Sequence, residues 1–224
     1  MRIKLSRKLI IGSLFGLMAL VLSISVSYAD PINVGDTIYL QNGDYGTTPG
    51  GEFKVYDAYS NYLFNTFCLE TNEYISYGVP YLVSDISTSA RNGGSGGSVN
   101  SSDPISSATA YLYYHYTLED LDDITTSFQY NSDESINALQ YAIWNLENEN
   151  LGQNNYLVAL ATLNAEVGNL YGVQVLNLTS LDGKTLKQDQ LYLAPVPEPA
   201  TLLLLGSGLI GFGILGRKRF KGRR

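Results

Sequence analysis

Few side chains in this sequence have the type and placing to do chemistry, and two of them stand out. The 224-residue chain has a single cysteine, Cys68, between Phe67 and Leu69 in an apolar run. A lone cysteine has no internal disulfide partner. It is either a small buried hydrophobe or a reactive thiol. The second is Gln140. Ile136, Leu139, Gln140, Ile143 and Trp144 recur at i, i+3, i+4, i+7 and i+8, which is the buried face of one helix. A carboxamide in that apolar stripe costs about 1–3 kcal/mol if it lacks a partner. Gln140 therefore needs either nearby backbone to bond or a chemical reason to be there.

Other candidates carry less. His115 is the only histidine and sits in a tyrosine-rich stretch. Without a second histidine, a zinc site or a Cys-His nucleophile pair lacks its usual ligands. Glu119, Asp120, Asp122 and Asp123 could meet a hard cation, but they lack the glycine-bearing spacing of a calcium loop and read as a solvated turn. No Gly-x-Ser-x-Gly, phosphate loop or dinucleotide fingerprint occurs. The paired carboxylates of a glycosidase have no spacing that a sequence would reveal. No metal, cofactor or turnover catalysis is expected.

The elements that must position these residues follow from periodicity. Residues 36–41 and 52–56 alternate as strands, with turn material between them around Pro49-Gly50-Gly51. Residues 62–70 and 81–86 also read as strands, and 91–103 as a flexible polar loop. Three helices are expected next. The first starts at Asp103-Pro104 as cap and first residue and runs to 116. The second covers 133–148, and the third covers 155–167 with Gly168 as its stop. Closing strands at 171–178 and 190–193 flank an Asp182-Gly183 turn. The expected fold is α+β, an antiparallel β-sandwich or partial barrel with a helical insert.

The ends of the chain divide it into three. Residues 1–29 have a basic start, an apolar run and Ser27-Tyr28-Ala29, the layout of a signal peptide cleaved after Ala29 by signal peptidase. Residues 30–195 form the expected extracytoplasmic domain. Residues 196–224 form a tail with an uncharged stretch at 200–216, at the short limit for a transmembrane helix, and a basic end at 217–224. The basic end is expected to stay cytoplasmic and to leave the domain outside, on a single-pass route through the membrane. Between residues 30 and 196 only Lys54, Arg91, Lys184 and Lys187 are basic, against 20 Asp and Glu, a formal charge of −16. Nucleic-acid binding is excluded as a role, because nothing would neutralise phosphates.

Two resemblances add to this reading. Val196-Pro197-Glu198-Pro199, followed by a short apolar stretch and a basic end, resembles the PEP-CTERM sorting signal. That resemblance implies processing by an exosortase in a cell that makes an extracellular polysaccharide matrix, with delivery to the cell surface or beyond. Phe67-Cys68-Leu69-Glu70 and Leu139-Gln140-Tyr141-Ala142-Ile143-Trp144 resemble the two signature segments of bacterial surface thioester domains. By that resemblance Cys68 and Gln140 would join with loss of ammonia, Trp144 would shield the bond, and the thioester would acylate an amine on a partner. Residues 67–74 are also similar to a recurrent exosortase-sorted domain of undetermined activity. Three readings stand at this point: a covalent surface or matrix protein, a non-catalytic matrix (biofilm or exopolysaccharide) component with a buried cysteine, and an enzyme acting on extracellular glycan.

Overall fold

A computed structural model describes residues 32–91, 102–149 and 155–194. Six antiparallel strands form the main sheet: β1 (Thr37–Asn42), β2 (Phe53–Asp57), β3 (Tyr62–Thr66), β4 (Pro80–Ser87), β7 (Val173–Thr179) and β8 (Leu186–Leu193), in the order β3-β2-β1-β4-β7-β8. A two-residue ladder, β5 (Ser89–Ala90) with β6 (Asp103–Pro104), stands beside it. The sheet curls until its edges meet. Beyond β3, the Phe67 carbonyl accepts from Leu191 N–H at 3.1 Å and Leu69 N–H donates to the Asp189 carbonyl at 3.2 Å. Between these bonds Cys68 lies opposite Gln190 in an antiparallel bridge. The structure thus has the expected α+β class, a mostly antiparallel sheet with helices, and the sheet curls towards a partial barrel.

Four helices fill the long connection between the adjacent strands β4 and β7: α1 (Ser107–Thr117), α2 (Leu121–Ile124), α3 (Asp133–Leu146) and α4 (Tyr156–Asn164). Each of the three longer ones begins at a side-chain cap. The Ser106, Ser132 and Asn155 side chains accept from Thr109, Ser135 and Leu157 N–H respectively. The expected start at Asp103-Pro104 is wrong. Those residues pair with Ser89–Ala90, and the Glu147 carboxylate accepts from Ser106 N–H at 3.0 Å and so holds the true cap in place. The third helix is also shorter than expected, ending before its cap residue Ala165.

The helices and the barrel have separate cores. One cluster holds Leu112, Ile136, Leu139, Ile143 and Leu157, with Val175 and Leu191 from β7 and β8 and Phe67 and Leu69 from the segment after β3. The other, at the barrel interior, holds Ile38, Leu40, Phe53, Val83, Leu176 and Tyr192. Both faces of β7 and β8 are buried, so neither strand shows a simple in-and-out alternation. The described residues belong to one compact unit. No described helix is long and apolar enough to cross a membrane. The expected signal peptide, with its cleavage residue Ala29, and the stretch at 200–216 lie outside the described residues.

Candidate functional site

Cys68 sits where the two cores touch. Along 67–69 successive side chains point to opposite sides, as in any extended segment. Phe67 and Leu69 enter the helical core, while Cys68 enters the barrel core. The expected strand at 62–70 ends at Thr66, but its continuation keeps this alternation through the bridge to β8. On the other side, α3 lays its apolar stripe over the same segment. Ile136, Leu139 and Ile143 stay in the helical core, and Trp144 reaches across into the barrel cluster beside Cys68.

Gln140 meets Cys68 directly. Cys68 N–H donates to Gln140 Oε1 at 3.2 Å, and Gln140 Nε2 donates to the Cys68 carbonyl at 2.9 Å. Both residues are fully buried. Cys68 N–H is shared with the Gly50 carbonyl at 3.2 Å. The amide thus has the backbone partner its burial demands, and that backbone belongs to the thiol-bearing residue. A donor on Oε1 also draws electron density from the amide carbon, which makes it a better electrophile.

Gly50 and Gly51 close the site from the β1–β2 loop. A Cβ on Gly50 would fall 2.0 Å from Trp144 Cζ2 and 2.9 Å from Cys68 Sγ. One on Gly51, whose φ is +136°, would fall 3.1 Å from Gln140 Oε1. The indole and the sulfur therefore share the space that a side chain at position 50 would take. Burial pushes the Cys68 thiol well above its ordinary pKa, the Glu70 carboxylate adds to the rise, and the Trp144 indole opposes it. Trp144 is 5 % exposed, and its Nε1–H has no hydrogen-bond acceptor among the described residues.

Outside the indole lies a cleft of about 530 Å³, walled by Tyr74, Tyr77, Tyr141 and Trp144 with Glu73 and Gln188 at its edge. Gln188 Nε2 donates to the Glu70 carbonyl at 2.8 Å, which ties β8 to the segment after Cys68. Gln190, opposite Cys68, is fully buried, and its Oε1 has no donor among the described residues. A second cavity of about 300 Å³ shares none of these residues. Glu52 is 5 % exposed at its base. Its Oε1 accepts from Tyr116 Oη and from Asn65 Nδ2, and its Oε2 from Asp44 N–H at 3.2 Å. Burial holds the Tyr116 phenol protonated, with its pKa raised further by Glu52.

Of the residues singled out by sequence, Cys68, Gln140 and Trp144 come together. The remaining ones do not join them. The His115 ring packs tilted against Tyr111, and its Nδ1 lies 2.9 Å from Asp120. Asp122 and Asp123 lie in the short helix α2, and no described group of three or more His, Cys, Asp or Glu is placed to hold a metal. Gly50, Gly51, Gln188 and Gln190 were missed as residues around Cys68 and Gln140. The Pro49-Gly50-Gly51 run read only as a turn, although adjacent glycines are also the signal of a close approach. Nothing local marks Gln188 or Gln190 as buried.

The sorting tail is settled by comparison with known families. Residues 195–219 match the PEP-CTERM protein-sorting motif. The chain therefore carries an exosortase-sorting signal, which includes Val196, Pro197, Glu198 and Pro199 and implies processing by an exosortase and transit through the membrane to the cell surface. No curated protein matches the chain. No solved structure matches it either.

Proposed function

We propose that this exosortase-sorted surface protein carries an internal thioester between Cys68 and Gln140 and uses it to attach covalently to an amine on a partner. The observation that carries this reading is the two-way bond between the Gln140 carboxamide and the backbone of Cys68 in a fully buried site. It fixes the amide against the one residue whose side chain is a thiol. Attack of Cys68 Sγ on Gln140 Cδ forms the carbon–sulfur bond and breaks the carbon–nitrogen bond. Nε2 leaves as ammonia and takes up the thiol proton. Burial protects the product from water, and Trp144 covers the sulfur side.

A second reading has its own support. The same two hydrogen bonds leave the Gln140 amide satisfied, so Gln140 could serve only to brace α3 against the segment after β3, in a non-catalytic surface or matrix component. Mass spectrometry of the intact purified domain separates the two. The thioester reading expects a mass short by one ammonia, restored in Cys68→Ala and in Gln140→Ala, together with a methylamine adduct on Gln140 after incubation. A full-mass protein with a free thiol sinks the thioester reading and leaves the brace.

A further inference from the structure

The feature left unexplained by shielding is the Trp144 indole N–H. It is buried, it belongs to the only tryptophan in the chain, and it has no acceptor among the described residues. Buried polar groups are nearly always paired, so an orphan donor calls for a reason. Its ring provides one. The absent Cβ of Gly50 would touch both Trp144 Cζ2, at 2.0 Å, and Cys68 Sγ, at 2.9 Å, which places the ring edge and the sulfur within about 5 Å of one another. Cζ2 is two bonds from Nε1, and the indole acts on the thiol as a hydrogen-bond donor that opposes the rise in its pKa, so the N–H lies within reach of the sulfur. A neutral thiol or an acyl sulfur is a weak hydrogen-bond acceptor, whereas a thiolate is a strong one.

We propose that Trp144 is a catalytic donor as well as a cover, its indole N–H bonding the Cys68 sulfur as the acyl–sulfur bond breaks. This role rests on the thioester reading above. In the step concerned the partner's amine nitrogen attacks Gln140 Cδ, the Cδ–Sγ bond breaks, and the electron pair stays on Sγ. The proton lost by the amine ends on that sulfur, leaving an amide at Gln140 and a free thiol at Cys68. The indole donor is idle while the sulfur is neutral and engaged while the sulfur carries charge. An interaction that strengthens only as charge develops lowers the barrier without over-stabilising the starting state. The orphan donor in the resting protein is what such an arrangement requires. The cleft outside the indole, walled by Tyr74, Tyr77 and Tyr141, gives the amine its approach.

The test replaces the indole by 3-benzothienylalanine at position 144, which keeps shape and cover and removes the N–H. In the intact protein, aminolysis by methylamine should slow roughly 10–100-fold while the fraction of chains lacking one ammonia is unchanged. Hydrolysis should slow as well. A cover acting only by shape predicts no change in either rate, and that result overturns the donor role. A second arm does not need the thioester. In Gln140→Ala the thiol is free, and alkylation by iodoacetamide at mildly alkaline pH reports its thiolate fraction. Removing the N–H should slow alkylation about tenfold, one unit of thiol pKa. An equal or faster rate overturns the proposal. If the unmodified chain never loses ammonia, the thioester reading falls, and this second arm still decides whether the indole serves the sulfur.

Discussion

Glu52, at the smaller cavity, and Gln140, behind the Trp144 wall of the larger cleft, are both buried polar side chains, and their surroundings treat them differently. Under the smaller cavity, Glu52 accepts from Tyr116, Asn65 and the backbone of Asp44, and Asn65 in turn accepts from Tyr62 Oη at 3.0 Å. Each of these donors has its acceptor. A network of that kind ties the β1–β2 turn, β3 and α1 together and loses much if any member is removed. At the other site Gln140 is satisfied by Cys68, but Trp144 Nε1 and Gln190 Oε1 are not satisfied by anything described. The polar atoms there are arranged around a thiol at the expense of their own pairing. A complete network marks structure, whereas an unpaired donor beside the thiol is what the proposed chemistry would use.

The contrast can be broken most strongly at Glu52. Glu52→Ala should remove about 3–4 kcal/mol of stability, because it leaves the buried Tyr116 hydroxyl and two less buried donors, Asn65 Nδ2 and Asp44 N–H, with poorer acceptors or none. Urea unfolding measures this. If the loss is under about 1 kcal/mol, the Glu52 network is not the brace described.

The next effect is one of pH and lies on the side of the larger cleft. Burial raises the Asp189 carboxyl to about 6, against the bonds from Arg91, Asn177 and Leu178 that lower it, while Glu73 raises it. The folded state therefore holds this proton more tightly than the unfolded chain, where the group titrates near 3.8. The stabilisation from this group is fully present below about pH 4 and is lost as pH rises to about 6, by up to about 3 kcal/mol. Melting curves from pH 4 to pH 7 should show this fall, and Asp189→Asn should flatten it. An equal slope in the variant would place the titration elsewhere.

The smallest effect sharpens the comparison at Gly50. Gly50→Ala forces the indole away from the sulfur and should cost about 2 kcal/mol as overpacking. The single tryptophan's fluorescence should shift to the red, and Cys68 should react faster with a small alkylating agent. An unmoved emission maximum would show that the loop, rather than the indole, gives way.

Much of this was legible along the chain. The α3 stripe of Ile136, Leu139, Gln140, Ile143 and Trp144 is a helix face whatever surrounds it, because 3.6-residue periodicity is a local property. The tail at 195–219 is likewise local, a motif followed by an apolar stretch and a basic end. The strands β1, β2 and β4 came within a residue or two of their expected positions, since each alternates in type.

What escaped the sequence depends on partners far away in it. β8 begins at Leu186, and its Gln188, Asp189 and Gln190 look exposed until Glu70 and Asn177 are brought against them. The start of α1 is set by Glu147, which reaches back 41 residues to Ser106 N–H, so Asp103-Pro104 was free to pair with Ser89–Ala90 instead. The chain by itself determined that a thiol and a helical carboxamide would both be buried, because apolar flanks and periodicity dictate burial. Only the tertiary structure decided that they would be buried against each other. Closing the barrel at Cys68–Gln190 turns the cysteine inward, and a loop with no side chain at Gly50 leaves room for Trp144 to cover it.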